Sequence, residues 1–158
     1  MARVYIDEKF ADMREIFVKK QTKIAGKNIF TTNVDMMVFA SMVGYSVQKD
    51  WKKDGVKNRG NEIEDSTFVD RKQDAISYLL ALQAMKSGDI LRDMPEENET
   101  QVWKIFESYS HLGFIEIEKW LVDNPGDTDG VDTLLNKIKE KAKHLFNNPA
   151  VDPDKIEF

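Results

Sequence analysis

The segment MMVFASMVG, Met36 to Gly44, carries apolar side chains nearly all round the helix it can form. A helix of that kind is buried on most of its faces, so the rest of the chain must pack around it. Just upstream, Thr32 and Asp35 stand in the spacing at which a hydroxyl and a carboxylate cap each other's backbone N–H groups. Gly44 either closes the helix or lets a second backbone approach it. A chain of 158 residues can bury roughly 70% of its unfolded surface, enough to enclose one such element. It has no cysteine, which excludes disulfides, thiolate metal sites and cysteine nucleophiles, and fits a reducing cytoplasm.

The flanking segments read mostly as helices. ARVYID alternates, with Val4 and Ile6 on one side and Arg3 and Tyr5 on the other, the period of a short strand. DEKFADMREIFVKK places Phe10, Met13, Ile16 and Phe17 at helical spacing, with Asp7 as its cap and Lys19 and Lys20 near its end. STFVDRKQDAISYLLALQAMKSGD predicts a helix capped by Ser66 or Asp70, running through Ala75, Ile76, Leu79, Leu80 and Leu82 and ended by Gly88. Pro95 opens a further helical stretch to Asn124, either one long helix or two divided at Gly113. PGDTDG is a turn, and VDTLLNKIKEKAKHLFN a last helix. SVQKDWKKDGVKNRGNEIED, between the central helix and the next, is polar and reads as a long loop or a loose hairpin. The expectation is therefore a mainly α fold: a compact single helical domain of about five helices over residues 1–146, with a short N-terminal strand and an extended tail at 147–158.

Charge divides unevenly along this chain. Residues 1–60 hold 12 Lys and Arg against 7 Asp and Glu, a balance of +5; residues 61–158 hold 11 against 21, a balance of −10. A basic part, 1–60, thus precedes an acidic helical part, 61–146, and the basic part can face a polyanion while the acidic part points away. Within it, QKDWKKDGVKNRG places Lys49, Lys52, Lys53, Lys57 and Arg59 around Trp51. Cations neutralise phosphates and an exposed aromatic ring stacks on a base, so these are candidate nucleic-acid contacts. The alternative is a buried Trp51 in an ordinary solvated loop. Lys19, Lys20, Lys23 and Lys27 form a second acid-free basic cluster that could extend the patch.

RVYID, then an amphipathic helix, a loop and a second helix, follow the order of a ribbon–helix–helix module. There, two strands pair across a homodimer and their outward side chains enter the major groove. Arg3 and Tyr5 are the outward residues here, and arginine is the commonest reader of guanine. The alternative is an edge strand on a monomeric helical domain.

Other chemistries lack a signature. The two histidines, His111 and His144, have no companion at ligand spacing and read as partly exposed helix residues. DNPGDTDG lacks the order of a calcium loop. Phosphate-cradling glycine loops and nucleophile elbows are missing. The expectation is a protein that is not an enzyme, with no cofactor and no metal. No uncharged run reaches the roughly 18 residues of a membrane span, and Asp7 and Glu8 interrupt any leader-like start.

IFTTNVDMMVFASMVGY, preceded by ARVYIDEKF and followed by a basic loop, resembles the small proteins called DNA phosphorothioation (Dnd) system-associated protein 4. AISYLLALQAMKSGDILRD and VWKIFESYSHLGFIEIEKWLVDN are similar to that family's second half. The resemblance runs from about Arg3 to Leu135 and is carried by Phe30, Thr32, Asp35, Phe39, Ala40, Gly44 and Tyr45. It implies an accessory or regulatory role in a bacterial defence system that marks DNA with sulfur in its backbone and attacks unmarked DNA. The partners it implies are DNA and other proteins of the system, and it supplies no catalytic residue. A protein–protein adaptor, docking a larger nuclease or ATPase through Trp103, Phe114 or Trp120, and a ribbon–helix–helix autoregulator are the alternatives.

Overall fold

The computed structural model describes residues 1–24, 26–92 and 96–146, with side chains omitted at 144–146. The tail from residue 147, Pro95 and the side chain of His144 lie outside it. The fold is built around one crossing. Helix α2, Asn33–Val47, lies against α5, Glu96–Asp123. α2 begins as its sequence requires. The Thr32 hydroxyl accepts the Asp35 N–H at 3.3 Å, and Asp35 Oδ2 accepts the Thr32 N–H at 3.0 Å. Val34, Met36, Met37, Ala40, Val43 and Gly44 are all buried.

The two backbones nearly touch. A Cβ on Gly44 would fall well inside contact distance of the Tyr109 carbonyl, and one on Gly113 inside that of the Ala40 carbonyl. Gly44 on α2 thus faces the Tyr109 carbonyl and Gly113 on α5 the Ala40 carbonyl, a reciprocal contact in which glycine and carbonyl stand one turn apart on each helix. The Ser110 hydroxyl crosses the gap to donate to the Met37 carbonyl at 3.1 Å. Gly113 does not divide the long helix. It is the point where that helix is thinnest, and α5 runs unbroken for 28 residues.

Strand β1, Arg3–Asp7, buries Val4 and Ile6 and turns Arg3 outward, with Tyr5 half-buried. Its antiparallel partner is β2, Arg59–Glu64, from the same chain, with Arg3 opposite Glu64, Val4 opposite Ile63 and Tyr5 opposite Glu62. The ribbon is thus intramolecular and needs no second subunit. The Tyr5 N–H, on the strand's backbone, donates to Glu107 Oε2 of α5 at 2.8 Å. β2 lies in the segment expected to be a long loop or a loose hairpin, and it pairs with β1 rather than within that segment; only Ile63 of RGNEIE is buried. One buried residue makes no alternation.

The helix after β1 is irregular: a 3₁₀ turn at Glu8–Phe10, then α1, Ala11–Arg14, then a π turn at Glu15–Lys19. The helix expected to start at Ser66 or Asp70 and to end at Gly88 is two, α3, Asp65–Asp70, and α4, Ala75–Met85. The polar run Asp70–Asp74 offers nothing to bury. Lys72 turns there with φ +57°, and Gln73 donates from its side chain to Asp35 Oδ1 at 2.7 Å, tying the break to the start of α2. α6, Val131–Phe146, makes the sixth α-helix among the described residues. Trp103, Phe106 and Phe68 pack as a tilted and edge-on trio, and Phe10 meets Phe114 at 5.3 Å. The core runs without interruption from Ala2 to Leu134.

The crossing makes a sharp prediction. Gly113→Ala forces a methyl into the Ala40 backbone and should cost at least about 2 kcal/mol, whereas Gly126→Ala, with nothing within 4 Å of the added carbon, should stay within about 0.5 kcal/mol. Urea unfolding reads both as shifts in midpoint. Equal midpoints for the two variants would show that the helices do not approach so closely.

Candidate nucleic-acid interface

The segment between α2 and β2 carries most of the cations singled out in the sequence, and it is pinned rather than loose. The Tyr109 hydroxyl, which burial keeps protonated by pushing its pKa up, donates to the Lys49 carbonyl at 2.6 Å. Asp50 caps a 3₁₀ turn at Trp51–Lys53 by accepting the Lys52 N–H at 3.1 Å. Asp54 accepts the Gly55 N–H at 2.8 Å and pairs with Lys57 at 3.4 Å. Asp7, almost fully buried, accepts backbone N–H groups from Lys9, Lys57 and Asn58. Burial alone would raise the Asp7 pKa, but those three donors hold it below the ordinary carboxylate range. The loop's acids are thus occupied with its own backbone, which leaves its lysines to solvent.

The predicted contact residues gather into two clefts. The first, of about 370 Å³, is lined by Arg3, Tyr5 and Arg59 together with Lys104 and Glu107 of α5. The Arg59 guanidinium lies 4.7 Å from the centre of the Tyr5 ring, a cation–π contact that holds both. Arg3 pairs with Glu62 at 3.1 Å, and Lys104 with Glu107 at 2.9 Å. The second cleft, of about 560 Å³, is lined by Lys49, Trp51 and Lys52 with Tyr45, Gln83 and Lys86 among its other walls. The Lys49 ammonium sits 3.4 Å above the Tyr45 ring, and that of Lys52 5.5 Å from the Trp51 ring. Trp51 is half-buried: part of the indole packs on the core and part lines the cleft. Lys53 and Lys57 are exposed on the same loop and line neither cleft.

Sequence reasoning missed Lys86 and Lys104. Both come from the acidic part of the chain, and no local pattern links either to residues some 35 or more positions away. The second basic cluster does not extend the patch. Lys23 pairs with Asp132 at 2.7 Å, Lys20 donates to the Thr128 carbonyl at 3.1 Å, and Lys19 pairs with Glu15 at 2.7 Å. Each of these lysines is thus engaged away from the clefts, Lys23 at the start of α6, Lys20 on the loop before it and Lys19 on its own helix, and Lys27 lines a separate apolar groove with Ile24, Leu135 and Ile138. The aromatics expected to dock a partner are also placed elsewhere: Trp103, Phe114 and Trp120 are all buried.

Beneath the loop lies His111, 1% exposed instead of the partly exposed residue expected. Neither ring nitrogen has a hydrogen-bond partner among the described residues. Its ring meets Phe10 edge-on at 5.4 Å, and Nε2 is 3.9 Å from Asp54. Burial holds its pKa below the ordinary histidine value; Lys9 and Lys57 act in the same sense, Asp54 and Asp7 against it. Among the described residues no group of three or more His, Asp or Glu is placed to hold a metal, and no helix is long and apolar enough to cross a membrane.

Fold and clefts together define a mainly helical protein whose two-stranded ribbon and adjoining loop carry cation- and aromatic-lined recesses. The chain belongs to the DNA sulphur modification system-associated protein 4 family, which it matches over residues 7–152. Its association is thus with a DNA sulphur modification system. No curated protein and no solved structure matches it.

His111 makes the fold acid-sensitive in a defined window. A histidine whose pKa is lower folded than unfolded binds its proton more readily in the unfolded chain. Its contribution to stability is intact above the unfolded value of about 6.5 and declines as the pH falls through it. Asp7 and Asp54, both lowered in the folded state, add their losses only further down, as the pH drops through their folded values. The His111→Leu variant should match or exceed the wild-type melting temperature at neutral pH, since it removes two unpaired nitrogens. It should also flatten the decline that sets in as the pH falls below about 6.5. A variant whose melting temperature falls with pH as steeply as the wild type would refute this role.

Proposed function

We propose that this protein is a non-enzymatic accessory or regulatory component of a DNA sulphur modification-linked bacterial defence system, and that it binds DNA through the two clefts. The observation that supports this most is convergence. Arg3, Tyr5 and Arg59 meet at one cleft and Lys49, Trp51 and Lys52 at the other, and in each the acidic part of the chain adds a further lysine. Cations already seated against aromatic rings lose little freedom on meeting a phosphate. The ion pairs of Arg3 and Lys57 are exposed, and such pairs are weak enough to be exchanged for phosphate contacts. Membership of a family named for DNA modification agrees with a polyanionic ligand.

A second reading, a protein–protein adaptor for a larger component of the system, is favoured by the apolar groove beside α6. Ile24, Leu135 and Ile138 stand between 43% and 55% exposed there.

Binding of a duplex should weaken steeply as salt rises from about 50 to 200 mM, because each phosphate contact releases counterions. Arg59→Glu should lower affinity about tenfold and reduce the salt slope by about one to two. Fluorescence anisotropy with sulfur-modified and unmodified duplexes measures both. Salt-independent binding, or none, would overturn the DNA reading and leave the adaptor.

A further inference from the structure

The cleft of Trp51 differs from its neighbour in what it offers a ligand. Three lysines, Lys49, Lys52 and Lys86, line it against one acid, Asp50. Asp50 already accepts the Lys52 N–H, so its charge is partly committed. Two rings, Tyr45 and Trp51, form apolar wall, and the Gln83 amide stands among them. Its volume of about 560 Å³ lies inside the range of about 300–1,000 Å³ for small-molecule sites. Lys86 ends α4 with φ +51°, a left-handed conformation in which glycine is the relaxed choice. A cation occupies the cap position at the wall of the cleft, where the backbone alone would favour glycine.

We propose that this cleft holds one unpaired nucleotide of DNA: the base stacks on the Trp51 indole, and Lys49, Lys52 and Lys86 meet its phosphates. This rests on the DNA-binding reading and narrows it. Stacking on an aromatic side chain needs a free base face, and inside a duplex every face is covered by the neighbouring base pairs. The ring therefore selects a bulged, extruded or single-stranded nucleotide. Gln83 carries both donor and acceptor, and the remaining lone pairs of Asp50 can accept from an amino group, so polar groups for the edge of a base stand beside the stacking surface. The other cleft contains no such combination. There the lining ring, Tyr5, holds the Arg59 guanidinium at 4.7 Å, which suits that cleft to backbone phosphates. In the Trp51 cleft Lys49 sits 3.4 Å above Tyr45 while Lys52 stands 5.5 Å from the Trp51 ring, so the indole is the more open face for a base.

The full chain is titrated against three dumbbell duplexes closed at both ends by loops of non-nucleotide linker, so that no terminal pair is free to stack. One is fully paired, one carries a single bulged adenine, and one an abasic residue at the same place. The adenine bulge should bind about tenfold more tightly than the other two, the worth of one stacked base. Trp51→Ala should remove that advantage and leave affinity for the fully paired dumbbell within about twofold, while Trp51→Phe keeps part of it. In the wild type, tryptophan emission should fall on binding the adenine bulge and not the abasic one, since Trp103 and Trp120 are buried. This measurement needs no variant. Equal, salt-sensitive affinity for all three dumbbells overturns the cleft assignment and leaves DNA binding standing. Absence of binding to any of them removes both.

Discussion

The backbone contact between α2 and α5 is the constraint from which the remaining geometry follows. Two glycines face two carbonyls across the crossing, and each helix presents its notch where the other presents its backbone. Bringing the axes so close buries most of α2, from Val34 to Gly44, and leaves Met42 and Val47 exposed on its outer side. It also fixes where α5 lies relative to everything N-terminal. From α5, Tyr109 reaches the Lys49 carbonyl, Glu107 reaches the edge of β1 at Tyr5, and His111 lies under Asp54. Little more than one turn of α5 thus positions strand, loop and 3₁₀ turn. Bulk added at Gly44 or Gly113 would move both clefts together, because both are referred to the same helix.

Glu107 shows how a buried charge is kept at modest cost. Its two oxygens accept a backbone N–H from β1 and the ammonium of Lys104. The carboxylate is 5% exposed yet fully employed, which is the condition under which a buried acid is tolerated. The same bonds bring a lysine of α5 to the cleft of Arg3 and Arg59. His111 is the contrasting case, buried with neither nitrogen bonded. Such a group stays neutral at ordinary pH and becomes costly on protonation, so the loop above it rests on a support that acid weakens.

What could be read before folding was the periodic part. The strand at Arg3–Asp7, the Thr32–Asp35 cap, the enclosed α2 and the long apolar rhythm of α5 each declare themselves within a few residues. Three things did not. β2 has a single buried residue, so its alternation is invisible, and only pairing with β1 defines it. The division of α3 from α4 depends on Gln73 bonding Asp35, a contact between positions 38 apart. The partly exposed reading of His111 failed because its burial comes from Phe10 and the loop, not from its own helix neighbours.

The charge asymmetry along the chain illustrates why position in sequence is a poor guide to position on a surface. Residues 1–60 look basic and the remainder acidic, which suggests two poles. Folding mixes them. Lys20 and Lys23, from the basic part, are taken up by the loop of Thr128 and Asp132, while Lys86 and Lys104, from the acidic part, join the clefts. The acids nearest the cationic loop, Asp7, Asp50 and Asp54, spend their lone pairs on backbone N–H groups. A carboxylate used in that way stabilises a turn and contributes less field to solvent than its formal charge implies. The sign a ligand would meet is therefore set by which carboxylates the backbone has claimed. At the cleft of Trp51 only one acid remains beside three lysines, and that acid already holds the turn that presents the ring.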